Sequence, residues 1–136
     1  SGKGTCQPVS NKASNDDAAD HTYTTARMNW WSANSWCLGK TGKGLIDFAG
    51  LQAIAGTGVV IDPDYNPDTN NGSHALYNGF CGTGTTTCLP ADAYWTSMDE
   101  GDSTSCRAYR VSVKSGLEYV GSGGRNDDDL SSALCE

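Results

Sequence analysis

The sequence predicts an α+β fold held together by disulfides, on three observations. Helical periodicity occupies the first half: Ala26, Trp30, Ala33 and Cys37 recur at steps of four, three and four. Alternation of period two occupies the last third, in "CRAYRVSV" (Cys106–Val113). Aliphatic and Phe side chains are too few to build an ordinary core: Leu, Ile, Val and Phe total 19 of 136 residues, at a net charge of −7. Such a composition leans towards disorder unless something else holds the chain. Six Cys, four Trp and six Tyr supply it, since each aromatic buries a large area and each disulfide contributes about 2–4 kcal/mol.

The length fits one domain. Residues 1–22 read as a polar leader packed on or extending from a domain at 23–136. The first helix is expected from about Thr24 to Leu38, with Gly39 as its C-cap. "MNWWSANSWCLG" places three tryptophans on it. Trp30 belongs to the buried stripe. Trp31 and Trp36 lie off it, and either cover neighbouring strands or the leader, or form an exposed apolar patch for a partner. A second helix is expected to start at the N-cap Asp47, to bury Phe48, Leu51 and Ala55 with Ile54 beside them, and to end at Gly56. Val59–Ile61 could form a short strand. A long irregular loop rich in Gly, Asn, Asp, Pro and Thr follows, and loops of that length in compact domains are usually functional or disordered.

The remainder reads as antiparallel strands. "YWTSM" (Tyr94–Met98) leads through a polar turn into Cys106–Val113, with Tyr109, Val111 and Val113 on one side and Ala108, Arg110 and Ser112 on the other. "KSG" is a hairpin loop with Gly116 in the left-handed position. "LEYV" (Leu117–Val120) returns, "GSGGRNDDD" is a further loop, and "LSSALCE" is a short last strand.

Composition also limits function. Sixteen acidic residues against nine Lys and Arg argue against nucleic acid, which calls for a basic face. No apolar run approaches the roughly 18 residues of a membrane span. With only His21 and His74 and no cysteine pair at ligand spacing, zinc is disfavoured. An even cysteine count points to an oxidising compartment, extracellular or at a cell surface. No signal peptide is visible at Ser1, so a mature chain or an excised terminal domain is expected. There is no G-x-S-x-G, H-E-x-x-H or phosphate loop. Asp99, Glu100 and Asp102 crowd one turn, whereas a glycosidase pair must flank a cleft. A non-catalytic protein is expected, with a small secreted enzyme as the less favoured alternative.

"WWSANSWC" fits W-x-x-A-x-x-x-C through Trp30, Ala33 and Cys37, and the chain closes on "ALCE" with Cys135 next to last. Together with the order of elements over Tyr23–Glu136, this resembles the C-type lectin-like fold, in its bacterial adhesin branches such as invasin and intimin tip domains or pilus-associated domains. The resemblance implies two helices, a small antiparallel sheet, a long loop and a Cys37–Cys135 bond. Closing a loop of about a hundred residues stabilises by roughly 4–5 kcal/mol in the chain-entropy model. Six cysteines allow fifteen pairings. Cys81–Cys88 would close a small local loop, and Cys6–Cys106 then follows by elimination. The resemblance further implies a recognition module binding a glycan or protein receptor, or a subunit of a pilus or surface appendage. Calcium-dependent members carry Glu-Pro-Asn or Gln-Pro-Asp in the long loop and Trp-Asn-Asp on a strand. Neither occurs here, so that sugar site does not carry over.

Contact candidates come from polar loops bearing aromatics: Tyr65, Asn66, Tyr77 and Asn78 in the long loop, and Arg125, Asn126 and Asp127 between the last strands. Phe80, Tyr94 and Trp95 also interleave with polar residues, but alternation requires Tyr94 or Trp95 to pack inside. "DPDYNPD" sets Asp62, Asp64, Asn66 and Asp68 at alternate positions, the opening half of a calcium loop. Pro67 replaces its glycine and Ser73 its bidentate Glu, and an acidic turn is the competing reading. "NGS" at Asn71–Ser73 is a glycosylation acceptor in a eukaryotic host.

Overall fold

A computed structural model describes residues 27–66, 75–81, 93–100, 106–114, 117–125 and 130–136. The leader, Ala26, Asp68, the Asn71–Ser73 acceptor, Cys88, Asn126 and Asp127 lie outside these residues.

Helix α1 spans Trp30–Thr41. It starts later than its periodicity suggests because Asn29 accepts from Ser32 N–H as the N-cap, and Met28 is already committed to an antiparallel bridge with Ser131. It also ends later. Gly39 remains helical, and Gly42, at φ 78°, closes the helix by donating to the Leu38 carbonyl at 3.0 Å. Trp30, Ala33 and Cys37 form its buried stripe, as expected. Helix α2, Phe48–Ala55, runs from Asp47, whose side chain accepts from Gly50 N–H at 2.8 Å, to Gly56. Both boundaries match the sequence reading.

Val59–Ile61 forms no strand. The Gln52 side chain donates to the carbonyls of Gly56 and Val59 and accepts from Ile61 N–H, each at 2.9 Å. One side chain thus satisfies the backbone that a strand partner would have paired. A third helix, α3 (Ala75–Cys81), interrupts the expected irregular loop. It lies close on α2 at Gly79, where a Cβ would meet the Ile54 carbonyl oxygen at 2.2 Å.

Strands β1 (Ala93–Asp99), β2 (Arg107–Lys114), β3 (Leu117–Gly124) and β4 (Ser132–Ala133) form one sheet in the order β3-β2-β1-β4. β2 pairs antiparallel with both β1 and β3, but β4 runs parallel to β1. The sheet is therefore mixed, not antiparallel throughout. The reason is the route of the chain end. Ser131 exchanges two backbone hydrogen bonds with Met28, and Ile46 N–H donates to Leu134 O, which lays the last segment along the free edge of β1. β3 also runs further than its hydrophobic pattern. Gly121–Gly124, read as loop, continues in register with Arg107–Arg110, because the ladder needs backbone groups and not side chains.

Both faces of the sheet are covered at β1, so neighbours on that strand are buried on opposite sides. Tyr94 joins Ile46, Leu51, Ile61, Leu76, Val111, Val113, Val120 and Leu134 in the larger cluster. Trp95 joins Met28, Trp30, Ala33, Cys37, Ala108, Ala133 and Cys135 in the smaller one. The bond between Cys37 and Cys135 is formed inside it. Trp31 and Trp36 are half-buried against the same cluster. Cys106, at φ 50°, is disulfide-bonded, and no cysteine is free among the described residues; the expected Cys81–Cys88 and Cys6–Cys106 pairings lie outside the described residues.

The tryptophans of α1 differ in what they do. Trp30 is 8% exposed, and its indole donates to the Thr96 carbonyl at 2.8 Å, locking α1 to β1. Trp30→Ala is expected to cost about 3–5 kcal/mol in urea unfolding. The indole nitrogen of Trp36 is buried with no hydrogen-bond partner. Trp36→Phe, which removes that unsatisfied donor, is expected to change stability by less than about 1 kcal/mol. Equal losses for the two variants would refute this assignment.

Candidate functional site

The candidate contact residues divide between two places on β3. One is the Glu118 carboxylate near its start. The other is Arg125, just past its end and about 23 Å of strand away.

Glu118 points into the core beside Val113, and none of it is exposed. A buried carboxylate is costly unless its lone pairs are satisfied. Here Oε1 accepts from the Tyr65 hydroxyl and from Leu76 N–H at 2.9 Å, and Oε2 accepts from Tyr77 N–H at 3.0 Å. Leu76 and Tyr77 are the second and third residues of α3, whose first N–H groups have no partner within the helix. One carboxylate therefore caps α3 and anchors the preceding loop. Val120 N–H adds a bond to Tyr65 O at 2.9 Å.

Tyr65 and Tyr77 are consequently core residues, 7% and 5% exposed, and not the exposed contact residues their polar setting suggested. Their neighbours remain accessible: Asn66 is half-buried and Asn78 exposed. Burial first, then the hydrogen bond to Glu118 and its negative charge, raise the Tyr65 phenol well above its ordinary range. An unfolded tyrosine ionises near pH ~10. Above that pH the unfolded chain loses this proton while the folded chain retains it, so the contribution is complete below about pH 10 and fades as pH rises further. Alkaline unfolding curves should therefore fall less steeply above about pH 10 for Tyr65→Phe than for the natural chain. Identical slopes would sink this account.

The acidic stretch makes a turn. The Asp62 carboxylate accepts from Asp64 N–H at 2.9 Å and its carbonyl from Tyr65 N–H at 3.0 Å, an arrangement typical of aspartate in turns. No group of three or more His, Cys, Asp or Glu gathers to hold a metal ion among the described residues. Of the four calcium candidates, Asp62, Asp64 and Asn66 are described and Asp68 is not.

At the other end, Arg125 pairs with Asp99, and its guanidinium lies 4.5 Å from the Trp30 ring centroid and 5.8 Å from that of Trp31. Its backbone N–H donates to Cys106 O at 2.9 Å. Desolvation by burial lowers its pKa. Alongside, Glu100 pairs with Arg107 at 2.9 Å and accepts from the Ser122 hydroxyl at 3.1 Å. These contacts seal the sheet end with aromatic–cation and ionic interactions. Arg125 is thus a strut between β3 and α1, a role the sequence hid by placing it among aspartates.

Comparison of the chain with family models, curated proteins and solved structures gives no match. Among the described residues, no helix is long and apolar enough to cross a membrane.

Proposed function

We propose that this chain is a non-catalytic recognition module of the C-type lectin-like type, displayed at a cell surface or secreted, that binds a glycan or protein on another cell. The observation that carries the reading is the closure of the chain. The first helix, bearing W-x-x-A-x-x-x-C, is bonded through Cys37 to Cys135 of the last segment, and Met28, two residues ahead of that helix, bridges to Ser131. A buried disulfide fits an oxidising compartment. With the first helix and the last segment fastened to each other, loops between can vary without opening the core.

A second reading, a pilus or surface-assembly subunit, draws on α1. Leu38 is 49% exposed there, and the Lys40 ammonium sits 5.6 Å from the Trp36 ring centroid, an apolar and cationic strip of the kind protein partners use.

One experiment tests both. The intact, oxidised chain is applied to a glycan array and to cells carrying the array's strongest hits. Binding abolished by free sugar supports the glycan form of the reading. Cell binding that resists sugar and weakens with Leu38→Asp supports assembly. Turnover of a sugar, ester or peptide substrate, or no binding to either surface, overturns the proposal.

A further inference from the structure

The part of the sheet that α1 leaves uncovered carries an unusual set of side chains. α1 packs on β4 and β1. On the same face, β2 and β3 present Arg110 and Ser112 opposite Gly121 and Tyr119, in the pairs Arg110↔Gly121 and Ser112↔Tyr119. Side chains directly opposite on antiparallel strands stand about 5 Å apart, so these four positions form one patch. All four are at least partly open to solvent.

Each corner has a distinct chemistry. Tyr119 is 37% exposed, the one aromatic among the exposed large hydrophobics of the described residues. Its ring lies beside Gly121, where a Cβ would meet Tyr119 Cε2 at 3.4 Å. Glycine there leaves a shelf next to the ring. Arg110 forms the other side. Its guanidinium lies 5.4 Å from the ring centroid of the buried Trp95, and it donates to Ser131 Oγ at 3.1 Å and to the Ser122 carbonyl at 3.0 Å. Those bonds use two of the five N–H donors of a guanidinium. Arg107 pairs with Glu100 and Arg125 with Asp99, whereas Arg110 has no ion pair with a described carboxylate. In a chain of net charge −7, it is a fixed positive group without a counter-charge among the described residues.

We propose that this patch binds a saccharide unit bearing a carboxylate, a uronic or sialic acid residue. The carboxylate lies against the Arg110 fork, which matches it in plane and spacing. The apolar face of the sugar ring lies on Tyr119 over the Gly121 shelf, and Ser112 borders the patch with a hydroxyl. Trp95 and the two hydrogen bonds hold the guanidinium in place before the ligand arrives, which lowers the ordering cost of binding. The inference rests on the recognition reading above and gives that reading a location and a ligand class.

The oxidised chain is titrated by calorimetry with trigalacturonate and with 3′-sialyllactose. Controls are the trigalacturonate methyl ester, lactose and an oligoglutamate peptide. The acidic sugars should bind, and their neutral counterparts should bind about tenfold or more weakly. Arg110→Gln and Tyr119→Ala should each weaken the acidic sugar by about tenfold, and Arg110→Lys, which keeps the charge and loses the fork, should weaken it less. Gly121→Val, which fills the shelf, should also weaken it while the melting curve shows the fold intact. Failure of both acidic sugars to bind, equal binding of the neutral forms, or equal binding of oligoglutamate overturns the proposal. If ligands from the array bind and are indifferent to Arg110→Gln and Tyr119→Ala, this site fails while the recognition reading stands. If the array and cells show no binding at all, both fail.

Discussion

Replacing Cys37 and Cys135 together by alanine is expected to lower the free energy of unfolding by about 4–5 kcal/mol. Their separation of 98 residues puts nearly all of the described chain inside the loop that the bond closes. In the chain-entropy model, long loops gain the most from closure. The two sulfurs are also packed, with Cys37 wholly buried and Cys135 4% exposed, so the alanines lose contacts as well. Those contacts are with Trp30, Ala33 and Ala133, the same cluster that docks α1 onto β1 and β4. Urea unfolding of the double variant, with the remaining cysteines kept oxidised, should show a lower midpoint. A fold of this size commonly has only 5–15 kcal/mol of stability, so the variant should be marginal at room temperature. A loss under about 1 kcal/mol would mean that backbone pairing alone fastens the two ends, and that the bond matters little.

How legible each part was depends on whether its determinants are local. α2 could be placed to the residue, since Asp47 and Gly56 cap it from positions beside its own ends. The stripe of α1 was equally plain, but its start was not, because Met28 is held extended by a bridge to Ser131, over a hundred residues away. α3 escaped notice for a related reason. Its seven residues, "ALYNGFC", carry little periodicity, and two of its first N–H groups are satisfied by Glu118, about forty residues on in the chain. A distant acceptor leaves no mark at the helix itself. The glycines of β3 read as loop because side-chain pattern is silent where there are no side chains. The short last strand, β4, was expected, but its parallel run beside β1 was not, because periodicity does not say which neighbour a strand pairs with. For the contact candidates the misleading signal was neighbourhood. Tyr65 and Tyr77 stand amid Pro, Asp, Asn and Gly, yet turn into the core, whereas Tyr119, in an alternating strand, turns its ring towards solvent.

The second large effect concerns Glu118. Glu118→Ala is expected to cost about 3–5 kcal/mol, since it strands two buried backbone donors and leaves a cavity. Glu118→Gln tests the charge with the shape kept. A carboxamide has one oxygen, so its NH2 group must confront a backbone N–H, that of Tyr77 or that of Leu76, and neither can accept. An intermediate loss of about 1–3 kcal/mol is expected. The effect should be local before it is global. Hydrogen exchange at Leu76, Tyr77 and Val120, whose amides respectively meet Glu118, Glu118 and Tyr65, should accelerate more than exchange at Ala33 or Val111. That asymmetry separates a latch from an ordinary core residue, whose loss would lower protection across the sheet. If Leu76 and Tyr77 keep their natural exchange rates in Glu118→Ala, α3 is capped by something other than this carboxylate. If they accelerate, one acidic residue, in a sequence with only three glutamates, sets the order of both the Ile61–Asn66 loop and α3. Asn66 and Asn78 then owe their positions at the surface to a group that is itself completely hidden from it.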